Sequence, residues 1–393
     1  MRVLQIAVAS TGGIGRLTRD ISDVLTKNGI DNKIAYGRGG VLDPARDFMF
    51  GSKPEIYFHA LMSRLDDACG LWSKHGTRQL IDFIENYKPN LVQLHNLHGY
   101  YINVEMLFRY LHDKKIPTVW TLHDCWCLTG HCVHFTFVKC YEWMQKCGDC
   151  PQINTYPKSY VDRSKRNLKI KEKAFSSLCD MTIITPSEWL MGLIRRSYLN
   201  KYSGVVINNG IDLDVFRVKP KLGYADKKII LGLASTWSKR KGFDDMIALS
   251  RMLLNDEYQV MMVGVKKEQL KHIPQNVRAI LHTESIEQLV NLYNEAFIFV
   301  NPTYEDNFPT TNLESMACGT SVITYNTGGS VESVTEETGY IVPQGDIKGI
   351  AEIIVKHKKT KESIINCRHR AEKYDKKYAY NKYLELYKLI LKI

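Results

Sequence analysis

The stretch from Ala296 to Val334 limits the fold more than any other. Ala296-Phe-Ile-Phe-Val300 is an unbroken apolar run that reads as a buried strand. It delivers the chain into Asn301-Pro-Thr-Tyr-Glu305-Asp306-Asn307-Phe308-Pro309-Thr310, and then into a small-residue helix, Leu313-Glu-Ser-Met-Ala-Cys318. Thr311 or Asn312 is expected to cap that helix and Gly319 to end it. A second apolar strand, Val322-Ile-Thr324, runs on to Gly328-Gly329. This is the grammar of an open α/β sheet, in which ligands gather where strands end and helices begin. The amino end of the helix suits a phosphate or a sugar oxygen. Glu314, one turn inside, can accept hydrogen bonds from a ribose. Set against this is the plain reading of a strand–loop–helix unit with surface acids.

The same grammar runs through the rest of the chain. Val3 to Ala9 reads as a strand, Ser10-Thr-Gly12-Gly13-Ile-Gly-Arg16 as a glycine loop, and Leu17, Ile21, Val24 and Leu25 as one helix face. Lys33 to Tyr36 is the next strand. The loop is not GxGxxG and no acid closes the second strand, so a dinucleotide fingerprint is a poor reading. The glycines let a ligand approach the backbone, and Arg16 can meet a phosphate. Helical patterns fill 54–87, and strands at Leu91–Leu94 and Pro117–Leu122 open on His95-Asn-Leu-His98 and His123-Asp124. Further strands are expected at 181–185, 205–207, 229–235, 259–263 and 340–342, with helices started by Pro186-Ser187-Glu-Trp189 and from Asp244, and over 346–357 and 375–393. The expected architecture is two doubly wound α/β domains with a cleft between them. Residues 1–217 form the first and 218–375 the second, changing over in Val218 to Lys228, and 376–393 is a terminal helix able to cross back.

Composition narrows the classes. The chain has 393 residues, 44% hydrophobic and 24% charged, which is enough for two cored domains. No apolar run approaches the roughly 20 residues that span a bilayer. The opening MRVLQIAVAS flows into a loop and helix as a first strand would, so a cytoplasmic protein is expected. A net charge of +11 favours anionic partners, and without a recognisable motif nucleic acid is not expected.

Taken in order, the motifs resemble glycosyltransferase family 4. They are Gly12-Gly13, His123 after a strand, Pro186-Ser187-Glu188, Asn209-Gly210-Ile-Asp212, Lys241-Gly242, and the acidic stretch ending Glu314-Ser-Met-Ala-Cys-Gly319. His95-Asn-Leu-His-Gly-Tyr-Tyr101, Thr121-Leu-His-Asp-Cys-Trp126, Gly130-His-Cys132 and Cys147-Gly-Asp-Cys-Pro151 resemble its colanic-acid branch, which builds exopolysaccharide, capsule or O-antigen of lipopolysaccharide. The resemblance implies a GT-B fold, two Rossmann-like domains facing across a deep cleft. It also implies a retaining, metal-independent transfer from a UDP- or GDP-sugar to a glycan acceptor, in this branch lipid-linked.

The residue roles follow the resemblance. Lys241, with Arg240 or Lys239, and the Gly12 and Gly13 amides would meet the leaving diphosphate; the family often has arginine where Thr236 stands. Glu314 would hold the ribose. Glu305 or Asp306, with the backbone of Asn307, Phe308, Pro309 and Thr310, would hold the donor sugar. Asp306 stands eight positions before Glu314; Glu305 stands nine before it and is preferred for its longer reach past a bulge at Asn307. His123 would hydrogen-bond sugar or acceptor, and His95 and His98 would line the acceptor pocket or be structural. The competing class is a carbohydrate- or nucleotide-binding protein of the same fold without catalysis.

Two features lie outside that core. Residues 125–151 carry six of the ten cysteines, and Cys132, Cys140, Cys147 and Cys150 form C-x7-C-x6-C-x2-C. A closed structural zinc site, free thiols and disulfides are the alternatives, with Cys125, Cys127, His131 and His134 as further ligands. Lys158 to Phe175 reads as a basic helix able to dock on an anionic membrane face.

Overall fold

The computed structural model describes residues 1–220, 227–254 and 256–393. The expected linker therefore falls partly outside the described residues, at 221–226. The chain divides into two compact units, one of Met1–Ile207 with Tyr380–Ile393, the other of Asn208–Ala379.

The first unit runs β1 (Arg2–Ala9), α1 (Gly12–Lys27), β2 (Asp31–Arg38), β3 (Asp47–Met49), α2 (Lys53–Asp66), α3 (Lys74–Tyr87), β4 (Leu91–Leu94), α4 (Val104–Lys114) and β5 (Thr118–Thr121). It continues with α5 (Ser164–Phe175), β6 (Met181–Thr185), α6 (Glu188–Ile194) and β7 (Ser203–Val206). Its strands form one parallel sheet in the order β3-β2-β1-β4-β5-β6-β7. The order reverses between β1 and β4, and at such a point a crevice opens at the carboxyl ends. The strands are apolar on both faces because helices cover both. Leu17, Ile21 and Leu25 of α1 are buried at helical spacing.

The second unit runs β8 (Lys228–Leu233), α7 (Phe243–Met252), β9 (Tyr258–Val263), β10 (Val277–Ile280), α8 (Ile286–Glu295), β11 (Ala296–Asn301) and α9 (Thr310–Ala317). Then come β12 (Val322–Tyr325), β13 (Gly339–Val342), α10 (Ile347–Lys356), α11 (Lys361–Glu372) and α12 (Lys376–Leu391). Its sheet is also parallel, ordered β10-β9-β8-β11-β12-β13, with the reversal between β8 and β11. The last helix ends in the first unit, where the Tyr387 hydroxyl donates to Gln93 Oε1 at 3.0 Å.

Several expected boundaries move. The helix after the first glycine pair begins at Gly12, so Gly12, Gly13 and Arg16 lie in its first turns rather than in a loop. The helix after Pro309 begins at Thr310, not Leu313, and neither Thr311 nor Asn312 caps it. Pro309, with φ −70°, stands at the N-cap. Asn312 is buried inside the helix, accepting from Asn301 Nδ2 at 2.8 Å and donating to the Ser330 carbonyl at 3.2 Å. The basic helix begins at Ser164, not Lys158. Its Lys171 is buried and donates to the carbonyls of Trp126 and Thr129, at 2.9 Å each, so it is no part of a solvated basic face. Strands β3 and β10 and helix α11 were not expected.

Gly15 holds the turn from β1 into α1 closed. A Cβ there would stand 2.3 Å from the Ser10 carbonyl carbon. Gly15→Ala is expected to destabilise the first unit by about 1–3 kcal/mol, the usual cost of overpacking. Calorimetry of the full chain should show the lower midpoint.

Candidate active site

In the second unit the polar residues converge where β8 and β11 end. After β8 the chain makes a single 3-10 turn, Lys239–Lys241, capped by the Ser238 side chain, which accepts from Lys241 N–H at 3.3 Å. Gly242 ends the turn with φ +75°, and a Cβ there would lie 2.2 Å from the Pro302 carbonyl oxygen. Only glycine lets this turn lie against the segment after β11. The Tyr304 N–H donates to the Arg240 carbonyl at 2.8 Å, and Arg240 Nη1 donates to the Glu305 carbonyl at 2.7 Å. Lys241 Nζ forms an ion pair with Asp306.

The next residues are pinned in turn. Gly329 N–H donates to the Asp306 carbonyl at 3.2 Å, and Asn209 Nδ2 donates to the Phe308 carbonyl at 3.1 Å. The chain then enters α9, whose amino end has no side-chain cap and no acid in its first turn. Its uncompensated N–H groups and dipole favour an anion there. Glu314 receives the Tyr293 hydroxyl at 2.9 Å and Thr310 Oγ1 at 3.4 Å, which fixes its carboxylate. Glu305 is only 1% exposed, whereas the Asp306 side chain keeps 18%. Arg240, Lys241, Glu305 to Thr310 and Glu314 are thus brought together in this unit. Tyr293, which orients Glu314, had no sequence signal; it is one aromatic residue on an amphipathic helix.

In the first unit a pocket at the carboxyl ends of β4 and β5 is lined by His95, His98, His123, Asp124 and Trp126 among others. A buried polar chain supports its floor. Gln5 Nε2 donates to the Thr18 carbonyl at 2.9 Å, leaving Gln5 Oε1 to accept from His95 Nε2 at 3.2 Å. His95 is fully buried, and burial holds its pKa well below the usual histidine value. Its neutral ring must then offer Nδ1 as acceptor to His123 Nε2 at 3.4 Å. Burial also lowers His123 to about 4, with Asp124 opposing and His98 adding to the shift. His123 is therefore a neutral imidazole near pH 7, with Nε2 protonated and a lone pair on Nδ1.

Beside it, His98 Nε2 lies 2.6 Å from Asp124 Oδ2, and His98 Nδ1 lies 3.0 Å from the Tyr156 hydroxyl. Burial alone would raise Asp124, but the His98 ring and the Trp126 N–H outweigh it, and Asp124 falls to about 2. Tyr156 was missed by the sequence reading, since it comes from an irregular segment far along the chain. Gly12, Gly13 and Arg16 are exposed at the start of α1, and a Cβ on either glycine would meet nothing within 4 Å. Open backbone at the carboxyl end of β1 suits close approach by a ligand.

Two parallel-sheet units of this kind make up the GT-B fold, which the chain shares with its structural neighbours. Residues 11–215 match the family described as Glycosyltransferase Family 4, and residues 214–378 match Glycosyl transferases group 1. The chain belongs to glycosyltransferase family 4. It is 22% identical over 377 residues, 90% of each chain, to the putative colanic acid biosynthesis glycosyl transferase WcaC of Escherichia coli K12. Over 210 residues, 48% of this chain and 55% of the relative, it is 28% identical to the capsular polysaccharide biosynthesis glycosyltransferase CapM of Staphylococcus aureus. Anabaena Alr3699/HepE in complex with UDP superposes with a TM-score of 0.69 at 15% identity, covering 98% of this chain and 99% of that one.

The buried histidines of the first unit contribute to its acid sensitivity. His59 accepts from Gly70 N–H at 3.1 Å through Nε2, so protonation would break that bond, and burial lowers it to about 3. His59, His95 and His123 all have folded pKa values below the unfolded value of about 6.5. The unfolded chain therefore binds more protons in this window. The stability these groups contribute is present above about pH 6.5 and is lost as pH falls toward 4. The thermal midpoint should drop over this range, and His59→Gln should make the drop shallower while lowering the midpoint at pH 7.

Proposed function

We propose that the chain is a retaining, metal-independent glycosyltransferase that moves a sugar from a UDP-sugar onto a growing, lipid-linked bacterial surface glycan. The observation that carries this is the pairing of Arg240 and Lys241 with the acidic segment that leads into the uncapped end of α9. A leaving nucleoside diphosphate develops negative charge as the glycosidic bond breaks. Fixed cations and N–H groups stabilise it without reorganising, and such preorganisation is usually the largest contribution to rate. Here Lys241, Arg240 and the first amides of α9 take that role. UDP as the nucleotide is supported by the Anabaena neighbour, and a surface glycan by the colanic-acid and capsular relatives.

In this reading Glu314, held by Tyr293, receives the ribose hydroxyls. Asp306 is the first acid of the pair: it stands eight positions before Glu314 and keeps an exposed edge, while Glu305 is buried. Of the two acids weighed from the sequence, this reading takes Asp306. The backbone of Asn307 to Thr310 holds the donor sugar, and the departing phosphate deprotonates the acceptor on the same face. His123, neutral and hydrogen-bonded through His95 to Gln5, offers its ring to a sugar hydroxyl.

No helix of the described residues is long and apolar enough to cross a membrane. We place the protein at the inner membrane face through its basic surface. Arg163, Lys165, Arg166, Lys169 and Lys173 line one open groove around Ile170, with Glu105 and Asp162 also in its wall. Each cation near an anionic surface contributes on the order of 1 kcal/mol.

Two measurements test these roles. In a thermal-shift panel of UDP- and GDP-sugars, one donor should stabilise the wild type and lose its effect in Glu314→Ala. Lys241→Ala should lower kcat by about 100–1,000-fold, and NMR of the product should show the donor's anomeric configuration kept. Binding with no nucleotide release, in the presence of any acceptor extract, would make the chain a binding protein instead. For the membrane, K165E/R166E/K169E should abolish co-sedimentation with phosphatidylglycerol vesicles; unchanged pelleting would remove that role.

A further inference from the structure

The cysteine-rich segment folds around a cavity that the transfer reaction does not use. His131, Cys132, Cys140, Trp143, Cys147 and Cys150 are among the residues that line it. Two nitrogens of its wall, His131 Nε2 and Trp143 Nε1, are buried with no hydrogen-bond partner. An orphaned buried polar atom forfeits its hydration with no return; the Trp143 N–H can only donate and suits a thiolate of the same wall, while His131 Nε2 asks for an occupant of the void. Its chemistry is set by the thiols. Cys132 and Cys150 are already in hydrogen-bond contact, and the Gly130 N–H points at Cys147 Sγ from 3.3 Å. Amide donation to sulfur suits a thiolate. Asp149, in the left-handed region at φ +48°, tightens the turn that joins Cys147 to Cys150.

The histidine is the more informative ligand. Its side chain is fully buried, and Nδ1 is engaged by Asp67, also buried at 1% side-chain exposure. Asp67 is itself held, accepting from Arg163 N–H at 3.0 Å. A carboxylate on one ring nitrogen fixes the tautomer that leaves a lone pair on the other, which is how metal-binding histidines are usually oriented. Here that other nitrogen is the orphaned Nε2. Charge is also provided for. The Lys171 ammonium lies 3.6 Å from the Trp126 ring centroid, bonded to two carbonyls, and faces Cys132 and Cys147 among its neighbours.

We propose that this cavity binds one zinc ion through His131 Nε2 and the thiolates of Cys132, Cys147 and Cys150, with Asp67 orienting the histidine. Binding displaces three thiol protons to solvent, leaving a site of charge −1 beside the Lys171 ammonium. Cys140 lines the same cavity and stays outside the shell. Among the described residues no three such side chains already stand in a coordination shell, so the thiols must turn inward on the metal. The site is structural: it has four protein ligands and no open position. It fixes a long irregular segment that has little core of its own, next to Asp124 and Trp126 of the first unit's pocket.

The test uses the full chain, purified without an affinity tag or chelator. Elemental analysis should find one zinc per chain, and a strong chelator should lower the thermal midpoint, with added Zn2+ restoring it. Replacing zinc by Co2+ should give thiolate charge-transfer bands and the d–d envelope of a site with three sulfur ligands and one nitrogen. His131→Ala should shift that envelope, Asp67→Asn should weaken metal binding by about 10–100-fold, and Cys140→Ser should leave the spectrum unchanged. Absence of metal, or an all-sulfur spectrum indifferent to His131 and lost in Cys140→Ser, overturns the proposal. The cobalt spectrum of the wild type decides the ligand set even if a variant fails to fold. Donor binding by the second unit is read separately, so this outcome does not depend on the proposed transfer.

Discussion

Parallel strand pairing is the constraint on which the molecule's organisation depends. A parallel pair cannot be closed by a hairpin; each connection must cross back, and here α-helices make most of these crossings in both units. Every strand then ends at the same edge of its sheet. The loops after β1, β4 and β5 are forced into one neighbourhood, as are those after β8 and β11. Residues far apart in sequence meet because their strands end together. Gln5, His95 and His123 come from three strands or their ends and form one hydrogen-bonded row. Arg240 and Glu305 meet by the same logic, across the β8–β11 reversal.

Crowding polar groups at those edges raises a second problem, since each must be satisfied in a partly dry site. The two units solve it differently. In the first, burial keeps His95 and His123 uncharged and a hydrogen-bonded row from Gln5 holds their rings, while the Asp124 carboxylate is held against His98. In the second, charge is balanced in pairs. Asp306 neutralises Lys241, and Tyr293 supplies a hydrogen bond to Glu314 without altering its charge. The first arrangement suits neutral hydrogen-bonding groups, and the second suits a ligand that carries its own charge.

Most strands could be read from sequence because buried parallel strands are short apolar runs, as at Met181–Thr185, which matches its expected span. What failed had weak local signals. Asp47-Phe-Met49 is three half-buried residues paired only at one edge of the sheet. Helix α11 buries Cys367 and Ala371 alone, so its sequence lacks an apolar stripe. The α9 boundary failed because Asn312 looks like a cap by type but is held in the interior by Asn301 and Ser330, a tertiary contact no local pattern encodes. Among site residues, the acids and cations of the second unit lie near one another in sequence or in recognisable order. Tyr156, Tyr293 and Asp67 act through side chains brought from remote segments, and nothing beside them in the chain marks them out.

Lys171 shows how one such remote contact can decide the reading of a whole segment. By type and spacing it belongs to a run of basic residues that would be exposed together. Its place on α5 instead turns it inward, beneath Trp126, while Lys165, Arg166, Lys169 and Lys173 stay out. A buried ammonium is costly unless its protons are satisfied. Here the irregular segment provides the carbonyls of Trp126 and Thr129 to satisfy it. The helix and the cysteine-rich segment are therefore not independent. The lysine ties the segment's first turn to the helix, and the remaining basic residues of the helix face solvent. Carbonyls of another segment that need a donor draw one charge inward, so charge counted along the helix overstates its surface.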